Sequence, residues 1–150
     1  MYKCKSLDQL FGLKGKTAIV TGAAGILGKY FCSGLAEAGA NVAIVDLNKH
    51  SVITLAKEIT DSYNIKAIGI ESDVSLPESV NSMVDNVVSE FGEINILLNN
   101  AATKTSDIKA FLAPFEEYSL ETWRQVMSVN IDGMFLVSQA VGKQMIAQGS

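Results

Sequence analysis

Thr21-Gly22-Ala23-Ala24-Gly25-Ile26-Leu27-Gly28 follows the apolar run 17–20 and opens an amphipathic stretch, so it reads as a strand-to-helix turn. Glycines at 22, 25 and 28 suit a tight turn, a close backbone approach to a pyrophosphate, and a helix packed hard against the strand beneath it. Phosphates would then rest on the helix N-terminus, where backbone N–H groups lack intrahelical acceptors. The other reading of such a turn is an ordinary βα loop. Asp46 weighs against it, because it closes a second apolar run, 41–45, eighteen residues after Gly28. That is near the spacing of the acid that accepts hydrogen bonds from an adenosine ribose. A carboxylate there accepts from a 2′-hydroxyl and repels a 2′-phosphate, and no Arg or Lys lies in the turn to neutralise one. NAD is therefore expected and NADP disfavoured, with Lys49, three residues past Asp46, as the argument left for NADP.

The elements that must position these groups alternate. Periodicity predicts strands over 17–21, 41–46, 66–71 and 94–99, and helices over 26–38, 50–62, 76–91 and 119–147. The strands are nearly continuous apolar runs, as in a parallel sheet covered by helices on both faces. The expected fold class is α/β, a Rossmann-type doubly wound parallel sheet in three αβα layers, with the first four strands and their helices present. In the third helix Ser75 and Glu78 have capping-box spacing around Pro77, while Val80, Met83, Val84, Val87, Val88 and Phe91 mark a buried stripe. Gly39 and Gly92 stand where a left-handed helix end wants glycine. The loop 103–118 is longer than a bare connection needs.

Composition narrows the partners. A chain of 150 residues, 48% apolar, suits one domain; residues 1–16 form an N-terminal extension and 17–150 the nucleotide-binding domain. The net charge of -4 argues against nucleic-acid and anionic-membrane surfaces. No apolar run reaches the length of a membrane span, and residues 1–16 lack the apolar core of a signal peptide, so a cytoplasmic location is expected. Cys4 and Cys32 suit a reducing compartment, with Cys32 expected in the core. His50 is the single histidine, and no metal site is expected.

Four motifs at consistent spacing, namely the glycine turn, Asp73-Val74, Asn99-Asn100-Ala101-Ala102 and Asn130 within Met127-Ser128-Val129-Asn130-Ile131-Asp132-Gly133, carry a resemblance to the classical short-chain dehydrogenase/reductase family. It covers nearly the whole chain from about Leu7. The resemblance implies that Gly22, Gly25, Ile26 and Leu27 line a pyrophosphate, that Asp46 holds the adenosine ribose with Leu47 beside the adenine, and that Asp73 and Val74 contact the adenine. By the same carry-over, Asn100, Ala101 and Ala102 run along the nicotinamide ribose. Each motif has a plainer reading: Asp73 as a helix cap, Asn99 and Asn100 as a strand end, Asn130 as an incidental polar residue. Two departures stand out. Gly25 precedes Ile26 and Leu27, a spacing closer to extended members of the family, and Ala102 replaces the usual glycine, where its methyl group would crowd the nicotinamide side.

The family's chemistry is hydride transfer between a nicotinamide and an alcohol or carbonyl substrate, a sugar-related one being a faint further resemblance. It uses a Tyr as acid/base, a Lys that lowers its pKa, a Ser that polarises the substrate oxygen and an Asn that holds a water in the proton relay. Only the Asn has a match, Asn130. None of Tyr2, Tyr30, Tyr63 and Tyr118 is followed four residues later by Lys. The expectation is a cofactor-binding part that ends before the fifth strand and is inactive alone. The alternative is a non-catalytic NAD-binding or interaction module. A receiver-like or flavodoxin-like domain lacks its acidic cluster or flavin loops here. The resemblance also implies a homodimer or homotetramer built on the helix 119–147, whose Met127, Ile131, Met134, Phe135, Val137, Val141 and Met145 surround more of its girth than one buried stripe needs.

Overall fold

The computed structural model describes residues 10–105 and 107–149; Cys4 and most of the expected N-terminal extension lie outside them. The chain runs β1 (Thr17–Thr21), α1 (Ile26–Glu37), β2 (Asn41–Asp46), α2 (Lys49–Tyr63), β3 (Ala67–Glu71), α3 (Pro77–Phe91) and β4 (Ile96–Leu98). All pairings are parallel and the strand order is β3-β2-β1-β4. The chain steps outward from β1 to β3 and then crosses back to lay β4 on the other side of β1. The direction of winding therefore reverses between β1 and β4, and a crevice opens at their carboxyl ends.

The two faces of the sheet explain why its strands are apolar throughout. Val20, Val42 and Ile44 join Cys32 and Ala36 of α1 and Val52, Leu55 and Ile59 of α2 in one buried cluster. Ile19, Ala43 and Val45, the alternate residues, join Met83 and Val87 of α3 in another. Side chains alternate across a strand, so covering both faces demands an apolar residue at every position. The doubly wound αβα arrangement expected from the sequence is the fold. Gly39 at φ +93° and Gly92 at φ +85° take the left-handed conformation at the ends of α1 and α3.

After β4 the sequence expectations need correction. The loop 103–118 contains a short helix α4 (Ile108–Phe111), whose N-cap Asp107 accepts from the N–H groups of Lys109 and Ala110, and a 3₁₀ turn (Phe115–Glu117). The single long helix expected over 119–147 comes as α5 (Leu120–Met127), a π-helical segment (Ser128–Gly133) and α6 (Met134–Gln148). Its Val137 and Val141 are buried in the cluster of Ile19 and Val45, not on a free face. β4 is shorter than the expected 94–99. Ahead of it the Asn95 side chain stands in for a ladder partner, its Oδ1 accepting from Thr17 N–H while the Asn95 backbone N–H donates to the Thr17 carbonyl. The Ser75–Glu78 capping box does not form. Ser75 donates both its N–H and its hydroxyl to Asp73 Oδ1, at 2.9 and 2.6 Å, and Leu76 occupies the N-cap without a side-chain bond.

Candidate functional site

The glycine turn owes its shape to two neighbours that leave no room for a side chain. Gly22 has φ +63°, and a Cβ on it would lie 2.7 Å from Ala101 Cα at the end of β4. A Cβ on Gly28 would run into the Gly22 carbonyl oxygen and lie 2.6 Å from Ala23 Cα, so α1 can pack onto the turn only with glycine there. Gly25 is the N-cap of α1 and supplies no side-chain acceptor. The first N–H groups of this twelve-residue helix are left without a cap, which is the arrangement that receives anions.

On the β4 side the turn is held by two residues. Buried Thr21 accepts on Oγ1 from the N–H groups of Asn100 and Ala101, both at 3.1 Å. The Asn100 side chain donates back to the carbonyls of Thr21 and Gly22, both at 3.0 Å. Asn100 therefore points into the turn and fixes its distance from β4. On the β2 side Asp46 Oδ2 accepts from Ala24 N–H at 3.0 Å and Oδ1 from Asn48 N–H at 3.3 Å.

Between these flanks lies a cleft of about 120 Å³, lined by Gly22, Val45, Asp46, Leu47, Ser72, Asp73, Val74, Ala101, Ala102, Thr103 and Val129. Seven of the eleven residues expected to bind a cofactor border it: Gly22, Asp46, Leu47, Asp73, Val74, Ala101 and Ala102. Gly25, Ile26 and Leu27 stand outside its wall at the start of α1, with Ile26 83% exposed and Leu27 63%. Four wall residues, Val45, Ser72, Thr103 and Val129, were not singled out by sequence. Ser72 and its partner Ser79 had no readable signal, because their role is a local network: the two hydroxyls lie 2.9 Å apart and Ser79 Oγ accepts from Asp73 N–H. Lys49 borders a different groove along the outer side of β3, its ammonium 3.9 Å from Glu71.

Asn130 sits in the π-helical segment, facing the end of the cleft. Its Oδ1 accepts from Thr103 N–H at 2.8 Å and its Nδ2 donates to the Thr103 carbonyl at 3.2 Å. A carboxamide has capacity for four hydrogen bonds, so each end keeps one free position after this clamp. The extra residue of a π-turn displaces the helix locally, and such turns gather at functional sites. Gly133 closes the segment against the cleft wall, since a Cβ there would lie 2.8 Å from Val74 Cγ2. Cys32 is apart from all this. Burial pushes its thiol up to about 12, as befits a core residue rather than a nucleophile. Among the described residues no helix is long and apolar enough to cross a membrane.

Comparison with known proteins follows the same outline. The short chain dehydrogenase family model matches residues 16–150. D-threitol dehydrogenase of Mycolicibacterium smegmatis is 41% identical over 144 residues, 96% of this chain and 53% of that protein. The crystal structure of NAD+-bound xylitol dehydrogenase superposes with a TM-score of 0.83 at 33% identity, covering 91% of this chain and 50% of that one. A short-chain type dehydrogenase/reductase from Mycobacterium marinum gives 0.87 at 33% identity, covering 97% and 56%. The chain spans about half the length of the curated relatives it matches. With a family model matched from Lys16 onward and the fold shared with solved members, the chain belongs to the short-chain dehydrogenase/reductase family.

Proposed function

We propose that this chain is the NAD-binding part of an oxidoreductase acting on a small polyol or sugar-related alcohol. The observation that carries the reading is the cleft at the switch point, where Gly22, Asp46, Asp73, Val74 and Ala101 come from four separate loops to one wall. The fit to a dinucleotide rests on three features. The uncapped N-terminus of α1 offers N–H groups to phosphates. The turn at Gly22 and Gly28 excludes side chains from the approach. The Asp46 carboxylate keeps acceptor capacity beyond its two backbone donors.

The preference for NAD is supported by charge. Asp46 repels a 2′-phosphate, and Lys49 is engaged by Glu71 beside another groove. The name of one similar protein, an NAD+-bound xylitol dehydrogenase, points the same way, and that of another, a D-threitol dehydrogenase, supports a polyol substrate. Bound NAD would supply a hydride acceptor. This chain's own residues would do the rest of the positioning: Ala101 and Ala102 beside the nicotinamide ribose, Asp73 and Val74 at the adenine. Asn130 would clamp the Thr103 loop and hold a relay water on its free positions. Gly25, Ile26 and Leu27 would meet the pyrophosphate from the helix start. We infer a cytoplasmic homodimer or homotetramer, formed through the exposed Ile131, Phe135 and Ile146 side chains.

Titrating NAD and NADP against the full-length protein tests the reading. NAD should bind at least tenfold tighter, and equal or tighter NADP binding overturns it. The 150-residue chain alone should produce no NADH from a panel of polyols. Turnover by this chain would contradict the assignment of acid/base chemistry to residues outside it.

A further inference from the structure

We propose that Asp46 has a second duty besides ribose binding: its carboxylate tethers the glycine turn through the Ala24 amide, so cofactor choice and phosphate-site geometry are set by one side chain. The proposal rests on the reading of the cleft as a dinucleotide site. Two consecutive N–H groups of the turn reach the end of β2. Ala23 N–H donates to the Val45 carbonyl at 3.0 Å, a bond between backbone groups that any residue at 45 would make. Ala24 N–H donates to Asp46 Oδ2 at 3.0 Å, and this bond depends on the side chain. On the opposite flank Thr21 and Asn100 hold the turn to β4. Asp46 therefore adds a side-chain hold at Ala24 to the backbone bond at Ala23, on a turn that carries φ +63° at Gly22.

The grip has a cost for specificity. A carboxylate accepting from an amide makes a charge-assisted bond, stronger than a neutral one. Removing the acceptor oxygen along with the charge, to admit a 2′-phosphate, also unties the turn that must hold the pyrophosphate. Replacing Asp46 with a residue that cannot accept should relieve the repulsion without yielding good NADP binding. Replacing it with Asn removes the charge but leaves a carbonyl oxygen in place to accept from Ala24.

The experiment compares Asp46→Ala with Asp46→Asn in the full-length protein; both are neutral, so electrostatic repulsion cancels between them. The probe is an NAD analogue whose adenosine ribose lacks both hydroxyls, which silences direct ribose contacts. The analogue should bind the Asn variant about fivefold tighter than the Ala variant, the factor expected for one hydrogen bond. Amide exchange without ligand gives the independent readout: Ala24 should exchange about tenfold faster in the Ala variant than in wild type, and near the wild-type rate in the Asn variant. Equal analogue affinity and equal Ala24 exchange in the two variants would overturn the tether while leaving NAD binding by the wild type intact. Should the wild type bind neither NAD nor NADP, the dinucleotide reading fails, and the exchange rate at Ala24 alone decides whether the tether exists.

Discussion

The chain divides into two regions that solve the same packing problem unequally. From β1 to β3 every strand has helices over it, β1 is buried along its whole length, and the glycine turn is gripped from both sides. From β4 onward, along one of the sheet's two edges, all three residues of β4 are only half-buried, and Leu112, Phe115, Leu120, Trp123 and Phe135 stand exposed. Beside that edge Tyr30, Phe31 and Leu35 of α1 form with Ile96 and Leu98 an apolar hollow. The first region is specified by backbone and close contact, where single atoms matter. The second is specified by exposed apolar surface, where partners matter. Substitutions in the two should fail in different ways.

The sharpest break belongs to the first region. Gly28→Ala puts a methyl group into the Gly22 carbonyl and Ala23, backbone atoms that cannot rotate away. The expected cost is about 3 kcal/mol, read as a lower denaturation midpoint, with NAD binding lost at temperatures where the protein is still folded. A variant with wild-type stability and affinity would mean that α1 can slide off the turn at little cost.

The next effect belongs to the second region. Phe135 is 60% exposed on α6, one turn from Ile131 and on the same side as Ile146. Phe135→Asp should leave the fold intact and cost about 2 kcal/mol of association, the scale of an aromatic anchor at an interface. Sedimentation of the full-length protein checks this; an unchanged oligomer, or a wild type that is monomeric at micromolar concentration, removes α6 from the interface. Val137 is the wrong probe, although the helical pattern alone nominates it. It is fully buried against the sheet, and a charge there would unfold the chain rather than report on assembly.

That contrast also marks how far the sequence could be read. Apolar runs and glycine positions disclosed the sheet and its helices, because those signals are local and repeat along the chain; of the cleft wall the turn and its spacing to the acid disclosed Gly22 and Asp46, while Leu47, Asp73, Val74, Ala101 and Ala102 followed from the family resemblance. The π-segment at Ser128–Gly133 had no such signal. Its apolar spacing continues that of a regular helix, and what displaces it is tertiary: the Asn130 clamp on Thr103 and the contact of Gly133 with Val74. Ser75 departs from its capping-box pattern for a related reason. Its hydroxyl has a better acceptor two residues back in Asp73 than in the helix it precedes. Asp107 could have been found, since an Asp ahead of Ile108-Lys109-Ala110 is an ordinary N-cap pattern.

Asn130→Ala lies between the two regions. It removes two hydrogen bonds to an exposed stretch of backbone, where water can replace them. The expected loss of stability is therefore only about 1 kcal/mol. In the full-length protein turnover should fall more than NAD affinity if, as proposed above, Asn130 holds a relay water rather than the cofactor. An equal fall in both would place Asn130 in cofactor binding instead.

The smallest predicted effect has the opposite sign and separates the regions most cleanly. Gly142 lies in the middle of α6, and a Cβ on it would meet nothing within 4 Å in this chain. Glycine in a helix interior costs up to about 1 kcal/mol relative to alanine, through backbone entropy alone. Gly142→Ala should thus raise the denaturation midpoint by a few degrees, where the same change at Gly28 lowers it. The result also bears on assembly, because Gly142 is spaced along α6 with Phe135, Gln139 and Ile146 on the outward side. A second copy packed closely at that point would meet the new methyl group. A gain in stability that does not vary with protein concentration means the glycine is spare. A loss that deepens as concentration rises means that a neighbouring chain approaches α6 at Gly142, and that the open region, like the closed one, has a contact that only glycine permits.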